Sequence, residues 1–175
     1  LGRLRTIQVW VLGEVLHPGQ YTVGGLANVM HALAAAGGIV ESGSLRNVRV
    51  VRAGQVIAVV DLYEFLITGT LGANVRLQDG DVISVPVVGP QAGVAGEVRR
   101  PGLYELAQGE TLADLIEYAG GFTAQADVRF IRLERISEDG QRTLRDIALP
   151  DRDALTRAEV TIALQDGDLV LVYGA

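Results

Sequence analysis

The chain has 175 residues, of which 49% are hydrophobic and 21% are charged, and its formal net charge is −6. A chain this apolar can bury enough surface to offset its ordering entropy, which excludes disorder, and its acidic balance argues against a nucleic-acid partner. Cysteine and lysine are both absent, which excludes thiolate catalysis, iron–sulfur clusters, Schiff-base chemistry and lysine-based phosphate loops.

The chain contains an internal repeat. The segment VLGEVLHPGQY at Val11–Tyr21 returns 83 residues later as VAGEVRRPGLY at Val94–Tyr104. Further on, LQDGDVISV at Leu77–Val85 returns 87 residues later as LQDGDLVLV at Leu164–Val172. Blocks kept in the same order indicate two copies of one folding unit. The longer second offset indicates a short insertion in the second copy.

Each copy opens on a predicted β-hairpin. Its first strand is rich in Val, and its second strand follows a Pro-Gly pair. Pro followed by Gly is typical of a type II turn, in which the Gly has a positive φ. The predicted strands are Ile7–Gly13 and Gln20–Val23 in the first copy, and Ala92–Gly96 and Leu103–Leu106 in the second.

A helix follows each hairpin. In the second copy Thr111 is the predicted N-cap, with Asp114 at the spacing of a capping box. Each helix ends at a Gly-Gly pair, where a glycine can adopt the left-handed cap. Helical periodicity predicts buried faces made of Leu26, Val29, Met30, Leu33 and Ala36 in the first copy, and of Leu112, Leu115, Ile116 and Ala119 in the second.

The rest of each copy is predicted to be mainly strand. These elements predict an α+β chain of two tandem β-grasp-like domains, residues 1–89 and 90–175, each a small mixed sheet packed on one main helix. The short linker around Gly89-Pro90 predicts that the two domains sit as a fixed pair. The remaining predicted strands are Val48–Arg52, Val56–Val60, Val82–Val87, Phe130–Arg135, Arg142–Ile147 and Leu169–Tyr173, with short helices at Leu62–Ile67 and Asp153–Arg157.

The residues favour neither catalysis nor a metal or cofactor site. His17 and His31 are not at ligand spacing, and both are interpreted as surface side chains. The two Asp-Gly-Asp triplets, Asp79–Asp81 and Asp166–Asp168, could bind calcium, but they suit a tight turn better because a calcium loop needs more oxygen ligands. No nucleophile triad or phosphate loop is present, so we expect no enzyme.

Six arginines at equivalent places in the two copies are the candidate contact residues. Arg49 and Arg132 alternate with apolar residues, so we expect them to point away from the core. A guanidinium fork binds carboxylates, either on an acidic polysaccharide or on a neighbouring subunit. The alternative is a local ion pair, or a charge that protects a strand edge. The six residues are Arg46, Arg49, Arg52, Arg129, Arg132 and Arg135.

The repeated G-E-V-x-x-P-G-x-Y motif, and L-x-x-G-D before a hydrophobic strand, resemble those of tandem SLBB (soluble-ligand-binding β-grasp) domains of the bacterial outer-membrane polysaccharide export family. The resemblance covers nearly the whole chain. It implies a periplasmic scaffold that self-associates into a ring in the full-length protein and passes capsular or exopolysaccharide to the outer membrane. It also implies an inner-membrane polysaccharide co-polymerase as partner.

The amino-terminal export domain and carboxy-terminal helix known in that family have no match here, so we expect the chain to be a piece of a longer protein. No apolar stretch approaches the roughly 18 residues of a membrane span, so we expect no membrane contact by the chain itself. SLBB domains also occur in cobalamin-binding proteins. The alternative function is therefore a small-ligand receptor for cobalamin or a free glycan.

Overall fold

The computed structural model describes residues 5–70 and 75–175. The chain forms two compact units, Leu1–Val88 (unit 1) and Gly89–Ala175 (unit 2). Each unit has its own buried apolar cluster. The predicted fixed arrangement of the two domains stays a prediction.

Unit 1 is a five-stranded mixed sheet with one helix on its inner face. Its strand order is β2-β1-β5-β3-β4. The central pair β1–β5 is parallel, and the other neighbours are antiparallel. The elements are β1 Thr6–Gly13, β2 Gly19–Gly24, α1 Val29–Ala35, β3 Val48–Arg52, β4 Gln55–Val60, α2 Leu62–Thr68 and β5 Val82–Val85.

Unit 2 repeats this topology with the strand order β7-β6-β10-β8-β9 and a parallel central pair, β6–β10. Two mixed sheets, each packed on a short helix, confirm the predicted α+β fold class. None of the described helices is long and apolar enough to cross a bilayer. The elements are β6 Gln91–Gly96, β7 Gly102–Glu105, α3 Leu112–Tyr118, β8 Ala126–Ile136, β9 Arg142–Ile147 and β10 Leu169–Gly174.

Alternating residues of the central strands and one face of each helix build the cores. The predicted helix face of the second copy is buried throughout. In the first copy Leu26 is 76% exposed, so its predicted burial is wrong. It lies before the N-cap residue Asn28, where the chain is not yet helical. Local periodicity could not show how late the helix begins.

Two further predictions about local structure are wrong. Gly19 and Gly102 have φ of 159° and 157°, close to extended backbone and far from the roughly +80° that a type II turn requires. The glycines therefore open β2 and β7 and do not close a turn. The segment Asp153–Arg157 forms turns and no helix. The helix predicted at Leu62–Ile67 is confirmed as α2.

Both first helices begin with a reciprocal cap, but with different residues. In unit 2 the Thr111 amide donates to the Asp114 carboxylate at 2.8 Å, which confirms the predicted capping box. In unit 1 the backbone N–H of Asn28 donates to Nδ1 of His31 at 3.1 Å, and the backbone N–H of His31 donates to Asn28 Oδ1 at 3.2 Å. His31 is exposed, as predicted, and it also takes the structural place of Asp114.

The variant His31→Asp is expected to stabilise unit 1 by about 0.5–1 kcal/mol, because a carboxylate at this place favours the N-terminal end of the helix. Thermal unfolding followed by circular dichroism measures the change. The reverse exchange, Asp114→His, is the matched control and should destabilise unit 2 by a similar amount. A lower melting temperature for His31→Asp would contradict the capping role.

Candidate functional site

The glycine of the G-E-V motif lets the two parallel central strands approach each other closely. Gly13 has φ of 89°, and a Cβ atom there would lie 2.1 Å from the Val85 carbonyl oxygen. Gly96 repeats the arrangement with φ of 89° and a distance of 2.0 Å to the Val172 oxygen. No side chain fits at this place, so the glycine is a requirement of the fold.

The polar residues of the same motif also make structural bonds. The Glu14 carboxylate accepts from the Ser42 hydroxyl at 2.6 Å, and Glu97 accepts from Thr123 at the same distance. The Tyr104 hydroxyl donates to the carbonyl of Arg100 at 2.6 Å. Tyr21 makes the equivalent bond to His17. The motif therefore stabilises the loop between the first two strands, and its polar side chains are already occupied.

The first carboxylate of each Asp-Gly-Asp triplet binds a backbone N–H near the start of the first strand of its unit. Asp79 Oδ1 accepts from the backbone N–H of Gln8 at 2.8 Å, and Asp166 Oδ1 accepts from the backbone N–H of Gln91 at 2.8 Å. These bonds support the interpretation of the triplets as turns. Among residues 5–70 and 75–175, no three His, Asp or Glu side chains cluster as a metal site would need.

The last carboxylate of each triplet pairs with one of the candidate arginines. Asp81 is fully buried and accepts two bonds of 2.8 Å from Arg52, through Nε and a terminal nitrogen. It also accepts from the backbone N–H of Gln78 at 2.8 Å. Asp168 and Arg135 form the same forked pair at 3.0 and 2.8 Å. The Asp-Gly-Asp triplet and the arginine-bearing strand, which lie far apart in the sequence, are thus joined by an ion pair in each unit.

The environment of Asp81 favours its charged form. Burial alone would raise the pKa of its carboxyl, but the hydrogen bonds from Arg52 and the Gln78 amide, together with the guanidinium charge, hold the pKa below its ordinary value. The hydrogen bonds that Arg135 donates to the Asp168 carboxylate raise the pKa of Arg135. The hydrogen bond to Asp81 likewise raises the pKa of Arg52, so the two arginines serve as partners of buried carboxylates and have a structural role.

Three more of the six arginines have carboxylate partners inside their own unit. Arg46 is nearly buried, binds the Asp61 carboxylate at 2.8 Å and lies 4.6 Å from the centre of the Tyr63 ring. The exposed Arg129 pairs with Asp127 at 2.8 Å. Arg132 lies on the outer face of its sheet, as predicted, and Nε binds Asp146 at 3.1 Å.

Arg49 differs from the other five. Its neighbours Val48 and Val50 are fully buried, whereas Arg49 itself is exposed on the opposite face of the sheet. Within the part of the chain that the structure describes, its side chain makes no hydrogen bond or ion pair. Its cross-strand neighbour on β4 is Val59, at the place where Arg132 has Asp146. Unit 1 therefore keeps an uncompensated guanidinium on an open sheet face.

That open face carries apolar side chains beside the polar Gln20 and Ser84, and it includes the only tryptophan of the chain. Trp10 and Leu12 on β1 are 43% and 40% exposed, and the register places them in rows with Val82 and Ser84 of β5. One strand separates β1 from β3, so Trp10 and Arg49 belong to strands about 10 Å apart. We call Trp10, Leu12, Arg49, Val59 and Val82 the open face of unit 1.

Sequence reasoning missed Trp10. It lies at the position of Gly93 in the second copy, where Leu103 and Leu169 close over the glycine. The repeat contained a signal for this residue, because one copy has a tryptophan at the position where the other has a glycine, and such a position marks a place where the copies diverge.

The grooves beside the first helices also diverge between the units. In unit 1 the groove has a volume of about 260 Å³ and an apolar lining that includes Met30 and Ala34. In unit 2 the groove measures about 700 Å³, and Glu117 lies where unit 1 has Ala34. Because the linings differ in polarity, the repeat retains no common ligand site here.

Comparison with known proteins identifies the repeated unit. A family model described as SLBB domain matches residues 8–85, and a second model with the same description matches residues 91–146. The chain belongs to the SLBB domain family. Each unit of the chain carries one SLBB domain, and the motifs that carried the resemblance are those that stabilise its hairpin loop and its last turn.

Two relatives give the family a biological setting. Over 88 residues, 49% of this chain, the sequence is 39% identical to the polysialic acid transport protein KpsD of Escherichia coli. Over 47 residues, 27% of this chain, it is 40% identical to ComE operon protein 1 of Bacillus subtilis (strain 168). The chain spans 15% and 23% of the lengths of these relatives.

Proposed function

We propose that the chain is the SLBB module of a polysaccharide export protein. This protein is periplasmic and associated with the outer membrane, assembles into a ring, and passes capsular or exopolysaccharide outwards. The observation that carries the proposal is the 39% identity to a polysialic acid transport protein over 88 residues. The module acts as a scaffold, with an inner-membrane polysaccharide co-polymerase and further copies of the full-length protein as partners.

We propose the open face of unit 1 as the glycan contact. An acidic polysaccharide such as polysialic acid carries a carboxylate on each sugar, and a guanidinium without a partner binds such a group through two parallel hydrogen bonds. The exposed Trp10 ring offers a flat apolar surface against which a sugar ring can pack. The open face of unit 1 thus combines a charge for the carboxylate with a surface for the ring.

The other five candidate arginines are expected to contribute less. Each already binds an aspartate of its own unit. A glycan carboxylate would have to displace that aspartate or share the guanidinium with it. Arg129 and Arg132 are the more accessible of the five, and any part they take in binding should be secondary to that of Arg49.

Titration of the isotope-labelled chain with sialic acid oligomers, neutral dextran oligomers and cobalamin, followed by NMR, tests the proposal. We expect weak binding of the acidic oligomer, with shifts around Arg49 that diminish as salt is added. Arg49→Ala should weaken this binding about fivefold or more, because it removes a charge-assisted pair. Trp10→Leu keeps an apolar side chain on β1 and should also weaken it.

Arg132→Ala is the matched control, because it removes an outward arginine whose charge Asp146 already compensates. It should change the affinity less than twofold, as expected for an exposed paired charge. An equal loss in both variants would contradict the choice of Arg49. Binding of cobalamin, with no binding of either glycan, would contradict the export proposal and favour the small-ligand receptor.

A further inference from the structure

Strand β4 is an unusually apolar sheet edge. It is the outermost strand of its sheet, with β3 as its one neighbour. The outer side of an edge strand carries backbone N–H and C=O groups without ladder partners, a template for pairing with another chain. The sequence of β4, QVIAVV, has no charged residue, proline or glycine. Its Val56, Ile57 and Val59 side chains are 52%, 42% and 51% exposed.

The other three edge strands of the described residues have the usual protection. Strand β9, the equivalent of β4 in unit 2, carries Arg142, Arg145 and Asp146. Strand β7 is only four residues long, and β2 exposes the polar Gln20 and Thr22. Charged side chains, short length, proline and β-bulges are among the means by which proteins prevent pairing at sheet edges. In β4 only a bulge at Ile57 disturbs the strand.

The charge of the chain is unevenly divided between the units. Residues 1–88 contain six Arg and six Asp or Glu, whereas residues 89–175 contain nine Arg and fifteen Asp or Glu. Two copies can therefore approach through unit 1 without net repulsion, whereas contact through unit 2 would bring together two acidic surfaces. The apolar edge lies in the neutral unit.

We propose that β4 pairs with β4 of a second copy of this chain, antiparallel about a two-fold axis. A strand paired antiparallel with its own copy presents the same residues from both sides. In β4 these are uncharged and mostly β-branched residues, which form favourable cross-strand pairs. The same pairing through β9 would bring the charged Arg142, Arg145 and Asp146 of both copies into the contact. The two sheets join into one, and Val56 and Val59 lose part of their exposure to water.

The contact is small and is expected to be weak, with a dissociation constant of roughly 10–1000 µM. A two-fold contact closes on itself, so the ring of the proposed function needs a different surface. The dimer and the export function can therefore fail independently of each other.

Sedimentation equilibrium of the 175-residue chain up to about 1 mM, the upper end of the expected range of dissociation constants, tests the proposal. Val56→Lys should weaken the dimer about tenfold or more, because it places a charge on the edge in each copy. Leu144→Lys is the matched control, since it adds the same charge on the exposed edge strand β9. It should leave the dimer unchanged, and Ile57→Lys provides a second variant if Val56→Lys fails to fold.

Hydrogen exchange of the wild-type chain tests the dimer contact without any substitution. The β4 amides should exchange more slowly at high protein concentration than at low concentration, while the β9 amides keep the same rates. A chain that stays monomeric at about 1 mM, a concentration at which any dissociation constant in the expected range leaves about half or more of the chains in dimers, would overturn the proposal. A dimer weakened equally by both lysine variants, or one that leaves the β4 amides unprotected, would do the same.

Discussion

Replacing Gly13 with alanine is expected to destabilise unit 1 by about 3–5 kcal/mol, much of the stability of a small domain. The added Cβ would lie 2.1 Å from the Val85 carbonyl oxygen, on the backbone of the central strand, which cannot move aside. The φ of 89° adds strain, because side-chain-bearing residues rarely adopt it. Urea unfolding, followed by NMR signals from each unit, measures the loss.

Gly24→Ala is the control for Gly13→Ala. Gly24 ends β2 in the same unit, has no positive φ, and an added Cβ there meets no atom within 4 Å. Its replacement should change the free energy of unfolding by less than about 1 kcal/mol. Gly96→Ala should destabilise unit 2 as Gly13→Ala destabilises unit 1. A loss below about 1 kcal/mol for Gly13→Ala would contradict the close strand approach.

The variant Asp81→Asn is expected to cost unit 1 about 3 kcal/mol at neutral pH. An asparagine at this buried place presents an NH2 group to donors from Arg52 or Gln78, and it leaves the guanidinium without its counter-charge. Asp79→Asn is the matched control, since it removes the same charge from the same turn. Its Oδ1 can still accept from the Gln8 amide, so the loss should stay below about 1 kcal/mol.

The same pair predicts how unit 1 responds to acid. Folding lowers the pKa of Asp81 below its ordinary value near 3.8. The stabilisation by this carboxylate is therefore fully present above about pH 4 and is lost as the pH falls through the folded pKa. Free energies of unfolding measured from pH 7 to pH 2 should converge for the wild type and Asp81→Asn. Parallel curves would contradict the lowered pKa.

Local features were the most predictable from the sequence. The capping box at Thr111 and Asp114 depends on a spacing of three residues, and the strand Val48–Arg52 was predicted with the bounds that the structure has. The repeat strengthened these predictions, because the same pattern had to fit both copies. Where the local signal was ambiguous, as at the Pro-Gly pairs, the prediction failed, because a turn and a strand start can share the same residues.

The candidate site was less predictable, because its chemistry depends on which strands become neighbours. Arg52 and Asp81 are 29 residues apart in the chain, and only the placement of β5 beside β3 brings them together. Whether an outward arginine is compensated depends on one residue across the ladder, Val59 for Arg49 and Asp146 for Arg132. Whether a retained arginine is paired within its own unit therefore depends on its neighbours across the sheet.

The sequence by itself determined that the chain is a tandem repeat of one α+β folding unit. It could do so because strand propensity, helix caps and glycine positions act over a few residues. Only the tertiary structure decided that both signature motifs are structural, and that Arg49 and Trp10 share an open face while β4 forms an apolar edge. These properties depend on sheet order and register, which arise when residues far apart in the chain pack together. The two copies thus share a fold and differ in the surfaces they expose.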